Sequence, residues 1–126
     1  MKSKKILVTG GAGYIGAHTV VELIQSGYDV VIVDDLSRSD RTLLEGIEKV
    51  TGKKTNFYQG DCCDNNFITN VFQSEGPIAS VLHFAAYKSV GESEENPLIY
   101  YQNNINSLTT LLAVMLKSKV YDLIFS

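Results

Sequence analysis

Short apolar runs alternate along the chain with stretches in which apolar residues recur every three or four positions. The first run, Ile6 to Val8, is uninterrupted, which is typical of a parallel strand covered on both faces. The stretch that follows places apolar residues at i, i+3, i+4 and i+7, namely Ala17, Val20, Val21 and Ile24. This spacing predicts a helix with one apolar face for packing on the strand.

The whole pattern predicts five strands and four helices in alternation. The expected strands are Lys4–Thr9, Val30–Val33, Thr55–Tyr58, Ala79–Phe84 and Tyr121–Phe125. The expected helices are Tyr14–Ser26, Thr42–Val50, a third from an Asn65 or Asn66 cap to Phe72, and a long fourth opened by Asn96 and Pro97. Helical connections of this length permit parallel pairing with right-handed returns. The sequence therefore predicts an α/β fold, a doubly wound parallel sheet of the Rossmann type in strand order 3-2-1-4-5.

The long fourth helix carries an apolar stripe at alternating steps of three and four. We expect this stripe to face the sheet, a partner chain, or both. Its members are Leu98, Tyr101, Ile105, Leu108, Leu112 and Met115.

Size and composition exclude several classes of protein. A chain of 126 residues suits one domain that buries roughly two-thirds of its unfolded surface. The net charge of −3 argues against nucleic-acid binding, and no apolar run approaches the roughly 20 residues of a membrane span. Cys62 and Cys63 are adjacent, which suits neither a disulfide nor a zinc ligand pair. We therefore expect a cytoplasmic protein with no membrane partner.

Three glycines, Gly10, Gly13 and Gly16, follow the first strand with the spacing GxxGxxG and open the first helix. Glycines let a bulky anion approach the helix N-terminus, where free N–H groups and a partial positive charge favour a pyrophosphate. Glycines also occur in ordinary turns, so the surrounding sequence decides whether this turn binds a pyrophosphate. The turn lacks the Lys of a nucleotide-hydrolysing P-loop, because Ala17 follows Gly16.

An acidic residue, Asp34, ends the second apolar run 18 positions after Gly16, near the spacing of about 20 expected for a ribose ligand. A carboxylate there accepts both ribose hydroxyls and repels a 2′-phosphate, so NAD is favoured over NADP. The alternative is that Asp34 and Asp35 merely end a strand in solvent. Arg38 is able to pair with a phosphate or with neighbouring Asp40.

Further candidates follow the third and fourth strands, at the edge where a doubly wound fold binds ligands. Asp61 is suited to accepting the adenine amino group or to capping the next helix. Ala85 and Ala86 would admit a flat nicotinamide or a ribose, and Lys88 would meet a phosphate, unless this segment is only a polar loop. His18 and His83 lack the spacing of metal ligands, and we expect no metal site.

Together, TGGAGYIG, VDDL, the GD pair at 60–61, HFAAYKSVGES and NPLIYYQNN resemble the extended short-chain dehydrogenase/reductase family, and within it the UDP-glucose 4-epimerases. The likeness runs from Lys4 to Ser126. The glycine turn and HFAA are shared broadly by nucleotide-sugar enzymes, whereas KSVGES followed by NPLIYYQNN is similar to the 4-epimerases.

The resemblance implies NAD as the cofactor and assigns a role to each matching position. Gly10, Gly13, Tyr14 and Ile15, with Gly16 behind them, would surround the pyrophosphate, Asp34 would hold the adenosine ribose, and Asp35, Ser37, Arg38 and Ser39 would lie around it. Asp61 and Cys62 would contact adenine. Phe84, Ala85, Ala86, Lys88 and Asn103 would line the nicotinamide half, with Lys88 also near the UDP-sugar substrate.

The family reaction passes hydride from sugar C4 to NAD and returns it to the other face of a 4-keto sugar, with proton transfer by a Tyr in YxxxK beside a Ser or Thr. None of the seven tyrosines here is followed four residues later by lysine. We therefore expect no catalytic residue in this chain and interpret residues 1–126 as an NAD-binding domain cut at its C-terminal end, without the substrate domain. The resemblance also implies a homodimer when full length. Alternatives are a standalone dinucleotide-binding module or another NAD-dependent nucleotide-sugar epimerase or dehydratase.

Overall fold

Strands and helices alternate through the computed structural model of the protein, which describes residues 4–36, 41–85 and 97–125. The strands are β1 (Lys5–Thr9), β2 (Asp29–Asp34), β3 (Asn56–Gln59), β4 (Ser80–His83) and β5 (Leu123–Phe125). The helices are α1 (Tyr14–Gln25), α2 (Thr42–Thr51), α3 (Asn65–Glu75) and α4 (Pro97–Lys117).

All strand pairs are parallel, and the sheet order is β3-β2-β1-β4-β5. β1 is the central strand, with Leu7 opposite Val31 of β2 on one side and Val81 of β4 on the other. The predicted fold class, strand number and strand order are confirmed. Because every strand is parallel, the carboxyl ends of β1, β2, β3 and β4 lie at one edge of the sheet.

Both faces of the sheet are covered, which explains why the strand sequences do not alternate. On one face Val8 and Ile32 belong to a core cluster with Val20 and Ile24 of α1. On the other face Leu7 belongs to a cluster that includes residues of α3 and α4. A side chain on either side of β1 is therefore buried, and an uninterrupted apolar run is the result.

The face that α4 turns to the sheet differs from the predicted stripe. Leu111, Val114 and Met115 are the buried apolar residues of this helix. Of the six stripe residues only Met115 is buried, whereas Leu98 and Tyr101 are each 66% exposed. The spacing is helical for both faces, so periodicity could not distinguish the face on the sheet from the face in solvent.

The cap of α3 also differs from the prediction. Asp64 is the N-cap, and its Oδ1 accepts a hydrogen bond from the Phe67 N–H at 3.2 Å. The proposed caps Asn65 and Asn66 lie inside the helix. Asp61 does not cap it either, because its Oδ1 accepts the N–H of Cys63 at 2.8 Å. Several acceptors in sequence are each capable of capping, and the backbone path selects one.

No helix in the described part of the chain has both the length and the hydropathy needed to cross a lipid bilayer. Within the same residues, no three or more His, Cys, Asp and Glu side chains are arranged to hold a metal ion.

A polar cluster centred on Glu75, at the end of α3, joins the amino ends of β1 and β3. Glu75 accepts hydrogen bonds from Asn56 at 3.2 Å and from Tyr58 at 2.5 Å, and its Oε1 lies 3.2 Å from the Lys5 Nζ. Burial alone would raise the pKa of Glu75, but the hydrogen bonds and the Lys5 charge outweigh burial and lower it. The hydrogen bond to Glu75 raises the pKa of Tyr58. The ionised carboxylate therefore stabilises this end of the sheet.

Replacing Glu75 with Gln should lower the free energy of unfolding at pH 7 by about 2 kcal/mol, because charge-assisted hydrogen bonds are lost. Since the folded pKa of Glu75 lies below its ordinary value, the wild-type advantage is present above that value and disappears as the pH falls below it. Urea unfolding of both chains between pH 7 and pH 3 measures this. Glu22→Gln, at an exposed site on α1, is the matched control. A difference between wild type and Glu75→Gln that stays constant with pH would contradict the assignment.

Candidate functional site

The glycine turn occupies the segment between the end of β1 and the start of α1. Gly10 has φ +74°, a left-handed conformation that favours glycine, and its N–H donates to the Val33 carbonyl oxygen at 2.7 Å. The Gly13 N–H donates to the Gly10 carbonyl oxygen at 3.1 Å. These bonds turn the chain from the central strand directly into a helix whose N-terminus lies at the carboxyl edge of the sheet.

Packing inside the protein accounts for two of the three glycines. A Cβ on Gly16 would lie 2.1 Å from the Gly10 oxygen, and one on Gly10 would lie 2.8 Å from the carbonyl carbon of Phe84. Neither position has room for a side chain. At Gly13, by contrast, the nearest atom to an added Cβ is 3.3 Å away, a tight contact rather than a clash. Internal packing therefore explains Gly10 and Gly16, and leaves Gly13 as the glycine best explained by access from outside.

The first turn of α1 presents its backbone to that outside face. The first amides of any helix have no partner within it, and the N-cap residue Gly13 has no side chain to supply one. Tyr14 and Ile15 expose 73% and 55% of their surface. No acidic residue lies in this turn to compete for the amides. The end of α1 thus offers N–H donors and the positive end of the helix dipole to an anion.

Asp34 connects the end of β2 to the glycine turn. Its side chain is buried, with Oδ2 accepting the Ala12 N–H at 3.1 Å and Oδ1 accepting the Leu36 N–H at 2.8 Å. Leu36 has φ +63°, which is unusual for a residue with a bulky side chain. The Asp34 carboxylate therefore stabilises a strained backbone as well as the turn. Asp35, the next residue, is exposed.

The segment after β3 meets the same edge. Gln59 pairs with Asp34 in the sheet register, and the Gly60 N–H donates to the Asp34 carbonyl oxygen at 3.1 Å. Asp61 is exposed and Cys62 is buried behind it.

The two thiols are poor nucleophiles at neutral pH. Burial, followed by the negative charge of Asp61, raises the pKa of Cys62 to about 12. The same two causes raise the pKa of Cys63 to about 11. Both cysteines are free and stay protonated, so thiolate chemistry is not what this edge of the sheet provides.

On the other side of the glycine turn lie Phe84 and Ala85, both half-buried. The Phe84 N–H donates to the Thr9 carbonyl oxygen at 3.0 Å, and the Ala85 N–H donates to the Thr9 Oγ1 at 3.2 Å. The backbone after β4 is thereby fixed against the backbone after β1.

Asn103 is half-buried on α4, and its carbonyl oxygen accepts the Cys63 thiol at 3.7 Å. One turn later, Ser107 is buried with its Oγ 3.4 Å from the His83 Nε2. α4 thus contacts both the segment after β3 and the end of β4.

The structure brings most of the predicted site residues to one edge. Those grouped there are Gly10, Gly13, Tyr14, Ile15, Gly16, Asp34, Asp35, Asp61, Cys62, Phe84, Ala85 and Asn103. Ser37, Arg38, Ser39, Ala86 and Lys88 lie outside the described residues. Sequence reasoning did not single out Thr9, Ala12 or Leu36, which hold this edge together. Thr9, a polar residue closing an apolar strand, is the one of these that carried a sequence signal.

The sequence was compared with known families and proteins. The family model described as GDP-mannose 4,6 dehydratase matches residues 7–125. A curated relative, the UDP-glucose 4-epimerase of Dictyostelium discoideum, is 49% identical over 122 residues, which is 97% of this chain and 35% of the relative. The chain therefore spans about a third of the length of that protein.

Solved structures show the same likeness. A UDP-glucose 4-epimerase from Bifidobacterium longum in complex with NAD+ and UDP superimposes with a TM-score of 0.94 at 46% identity, over 98% of this chain and 36% of that one. A UDP-glucose 4-epimerase from Stenotrophomonas maltophila with bound NAD and formylated UDP-arabinopyranose gives a TM-score of 0.92 at 48% identity, over 97% of this chain and 36% of that one. Since the family model covers nearly the whole sequence, the chain belongs to the GDP-mannose 4,6 dehydratase family and is similar to the amino-terminal third of UDP-glucose 4-epimerases.

Proposed function

We propose that this chain is the NAD-binding part of a UDP-glucose 4-epimerase, which interconverts UDP-glucose and UDP-galactose through a transient 4-keto sugar. The observation that carries the proposal is the 49% identity to a 4-epimerase over 97% of the chain, joined to a glycine turn and an acidic strand end in contact with each other. Residues 1–126 form the NAD-binding domain, and the substrate domain belongs to the remainder of a longer protein. The reducing environment of the cytoplasm suits two free cysteines.

A standalone dinucleotide-binding module is the alternative from another functional class. It has the same turn and the same acidic strand end, but it needs no downstream YxxxK. A coding sequence that continues past Ser126 into YxxxK would exclude it, and a stop codon at that point would favour it.

The residues at the sheet edge fit the chemistry of NAD. Backbone amides of Gly13 to Gly16 at the start of α1 suit the pyrophosphate, because this end has donors, positive dipole charge and no acidic side chain. Asp34 suits the adenosine ribose, with Asp35, Ser37, Arg38 and Ser39 around it and Asp61 and Cys62 toward adenine. Bound NAD supplies the hydride acceptor. Phe84, Ala85, Ala86, Lys88 and Asn103 orient its nicotinamide half, and Lys88 also meets the UDP-sugar.

Asp34 also explains selectivity for NAD over NADP. Its carboxylate lies in a buried environment beside the Ala12 amide, where a 2′-phosphate would bring a second negative charge against it. An exposed acid at a strand end would be screened by water, whereas a buried one is screened far less.

Calorimetric titration should show NAD binding at least about tenfold tighter than NADP, and Asp34→Asn should weaken NAD binding and narrow that ratio. Asp29→Asn is the matched control, because Asp29 begins the same strand at the opposite edge and is exposed. Asp34→Asn also disturbs the contacts to Ala12 and Leu36, so its unfolding temperature is measured alongside. Equal affinity of the wild-type chain for NAD and NADP would refute the role given to Asp34.

The 126-residue chain alone should not epimerise its substrate. None of its seven tyrosines is followed four residues later by lysine, so the chain lacks the acid–base pair that the reaction needs. A coupled assay for UDP-galactose turnover, with a full-length 4-epimerase as positive control, tests this. Turnover by the purified chain, free of contaminating epimerase, would contradict it.

We further propose that the full-length protein forms a homodimer whose two copies pair through α4. Leu98, Tyr101 and Ile105 are 66%, 66% and 54% exposed, and the stripe continues through Leu112 and Leu116 along one face of the helix. A continuous apolar helix face of this kind suits packing against the same face of a second helix.

Replacing Ile105 with Lys should weaken self-association by about tenfold or more, since a charge would enter the apolar contact. Sedimentation equilibrium of the full-length protein over a range of concentrations measures the dimer dissociation constant. Val50→Lys, at a 64% exposed position on α2, is the control and should leave that constant unchanged. A full-length wild-type protein that remains monomeric at all concentrations would rule out the homodimer.

A further inference from the structure

A buried hydrogen-bond chain crosses the sheet edge behind the proposed cofactor site. It contains Thr9 at the end of β1, His83 at the end of β4 and Ser107 on α4, which are 0%, 1% and 1% exposed. The Thr9 Oγ1 lies 2.6 Å from the His83 Nδ1, and the His83 Nε2 lies 3.4 Å from the Ser107 Oγ. Three elements distant in sequence are therefore joined through one imidazole.

One assignment of donors and acceptors runs consistently through the hydrogen bonds that join Thr9, His83 and Ser107. The Thr9 Oγ1 accepts the Ala85 N–H at 3.2 Å, and it shares the Phe84 N–H, at 3.1 Å, with the Thr9 carbonyl oxygen at 3.0 Å. Because the Ser107 Oγ donates to the Asn104 carbonyl oxygen, it is an acceptor toward the His83 Nε2, and we assign the unprotonated nitrogen to Nδ1, which accepts the Thr9 hydroxyl. A neutral imidazole then carries its proton on Nε2, and this N–H donates to the Ser107 Oγ. Ser107 in turn donates to the Asn104 carbonyl oxygen at 3.2 Å.

Packing also restricts the position of the His83 ring. The Phe125 ring of β5 stacks on His83 with centroids 5.7 Å apart and planes 26° apart. Beyond Thr9, the backbone that its hydroxyl holds lies directly against Gly10, where even a Cβ would come within 2.9 Å of the Ala85 nitrogen. A shift of the imidazole would therefore be passed to the backbone of Phe84 and Ala85.

We infer that His83 is a positioning residue for the nicotinamide half of the cofactor, acting through Thr9 on the backbone of Phe84 and Ala85 and through Ser107 on the orientation of α4. This inference rests on the proposed function, in which Phe84, Ala85 and Asn103 line that half of NAD. His83 touches neither cofactor nor substrate. Its role is to fix the segment after β4 relative to the end of β1 and to the helix that bears Asn103.

The prediction is a selective loss of affinity. His83→Phe keeps an aromatic ring against Phe125 but removes both nitrogens, and Thr9→Val removes the hydroxyl at nearly constant shape. Each variant should weaken NAD binding by about fivefold or more, which is the effect of losing one or more net hydrogen bonds. The affinity of each variant for ADP should change by less than about twofold. ADP carries the adenosine and the diphosphate but no nicotinamide half, so it reports on the glycine turn and on the Asp34 side of the site, which His83 does not position. Calorimetric titration of both ligands measures the split.

Two conservative variants serve as controls. Thr9→Ser keeps the hydroxyl and should retain NAD affinity. Thr109→Ala removes a hydroxyl bonded to a carbonyl oxygen three residues earlier on α4, at 3.2 Å like that of Ser107, but on the exposed side of the helix. It should change neither affinity. If Thr9→Val fails to fold, Ser107→Ala serves in its place, because it removes the hydrogen-bond partner of His83 on α4. This variant should have a lower affinity for NAD and an unchanged affinity for ADP.

A measurement without ligand separates this inference from the proposed function. Imidazole nitrogen NMR of the wild-type chain should show the Nε2–H tautomer of His83, and exchange of the Ala85 amide should be faster in His83→Phe than in wild type. A Nδ1–H tautomer, an unchanged Ala85 exchange rate, or equal losses for NAD and ADP would overturn the inference. A wild-type chain that binds neither ligand would overturn the proposed function, and the tautomer and exchange rate would still decide whether the hydrogen-bond chain exists.

Discussion

The architecture depends on how closely β1 and β4 approach each other where both strands end. Gly10 lies against the backbone of Phe84 and Ala85 so tightly that no side chain would fit. This approach brings the Thr9 hydroxyl within reach of two amides of the neighbouring segment and of the His83 ring. It also fixes the start of α1, because the same glycine turns the chain out of the sheet. The proposed dinucleotide site is therefore bounded on this side by backbone atoms rather than by flexible side chains.

The two edges of the sheet have different chemistry. At the amino edge, Glu75 gathers Lys5, Asn56 and Tyr58 into a cluster that satisfies every partner and stabilises the fold. At the carboxyl edge, polar groups serve the loops and the start of α1. Asp34 has two tasks at the second edge, since its carboxylate accepts the amides of Ala12 and the strained Leu36 and is also the group proposed to hold the ribose. Asp34 thus combines a proposed role in ligand binding with a role in stability, whereas Glu75 serves stability alone.

Much of the fold was accessible from the sequence because its signals are local. Uninterrupted runs such as Val30 to Val33, helical spacing such as that of Ala17 to Ile24, and glycines at strand ends each reflect a preference of a few residues. Element bounds were less certain by one to three residues, as at β5, which begins at Leu123 rather than Tyr121. The cap of α3 was assigned to the wrong residue because Asp61, Asp64, Asn65 and Asn66 compete, and only the path of the chain selects among them.

The sequence by itself determined the fold class, the glycine turn and the acidic residue that ends β2, because periodicity and spacing record these features directly. The strand order followed from the right-handed crossovers of a doubly wound fold. Tertiary structure alone decided which face of α4 meets the sheet, since apolar residues lie at helical spacing on both faces. It also decided that Thr9, His83 and Ser107 meet, because these residues are 74 and 24 positions apart and come together only when parallel strands align. Within the glycine turn, packing against Phe84 and against the start of α1 requires Gly10 and Gly16, so only Gly13 is left to the proposed ligand role.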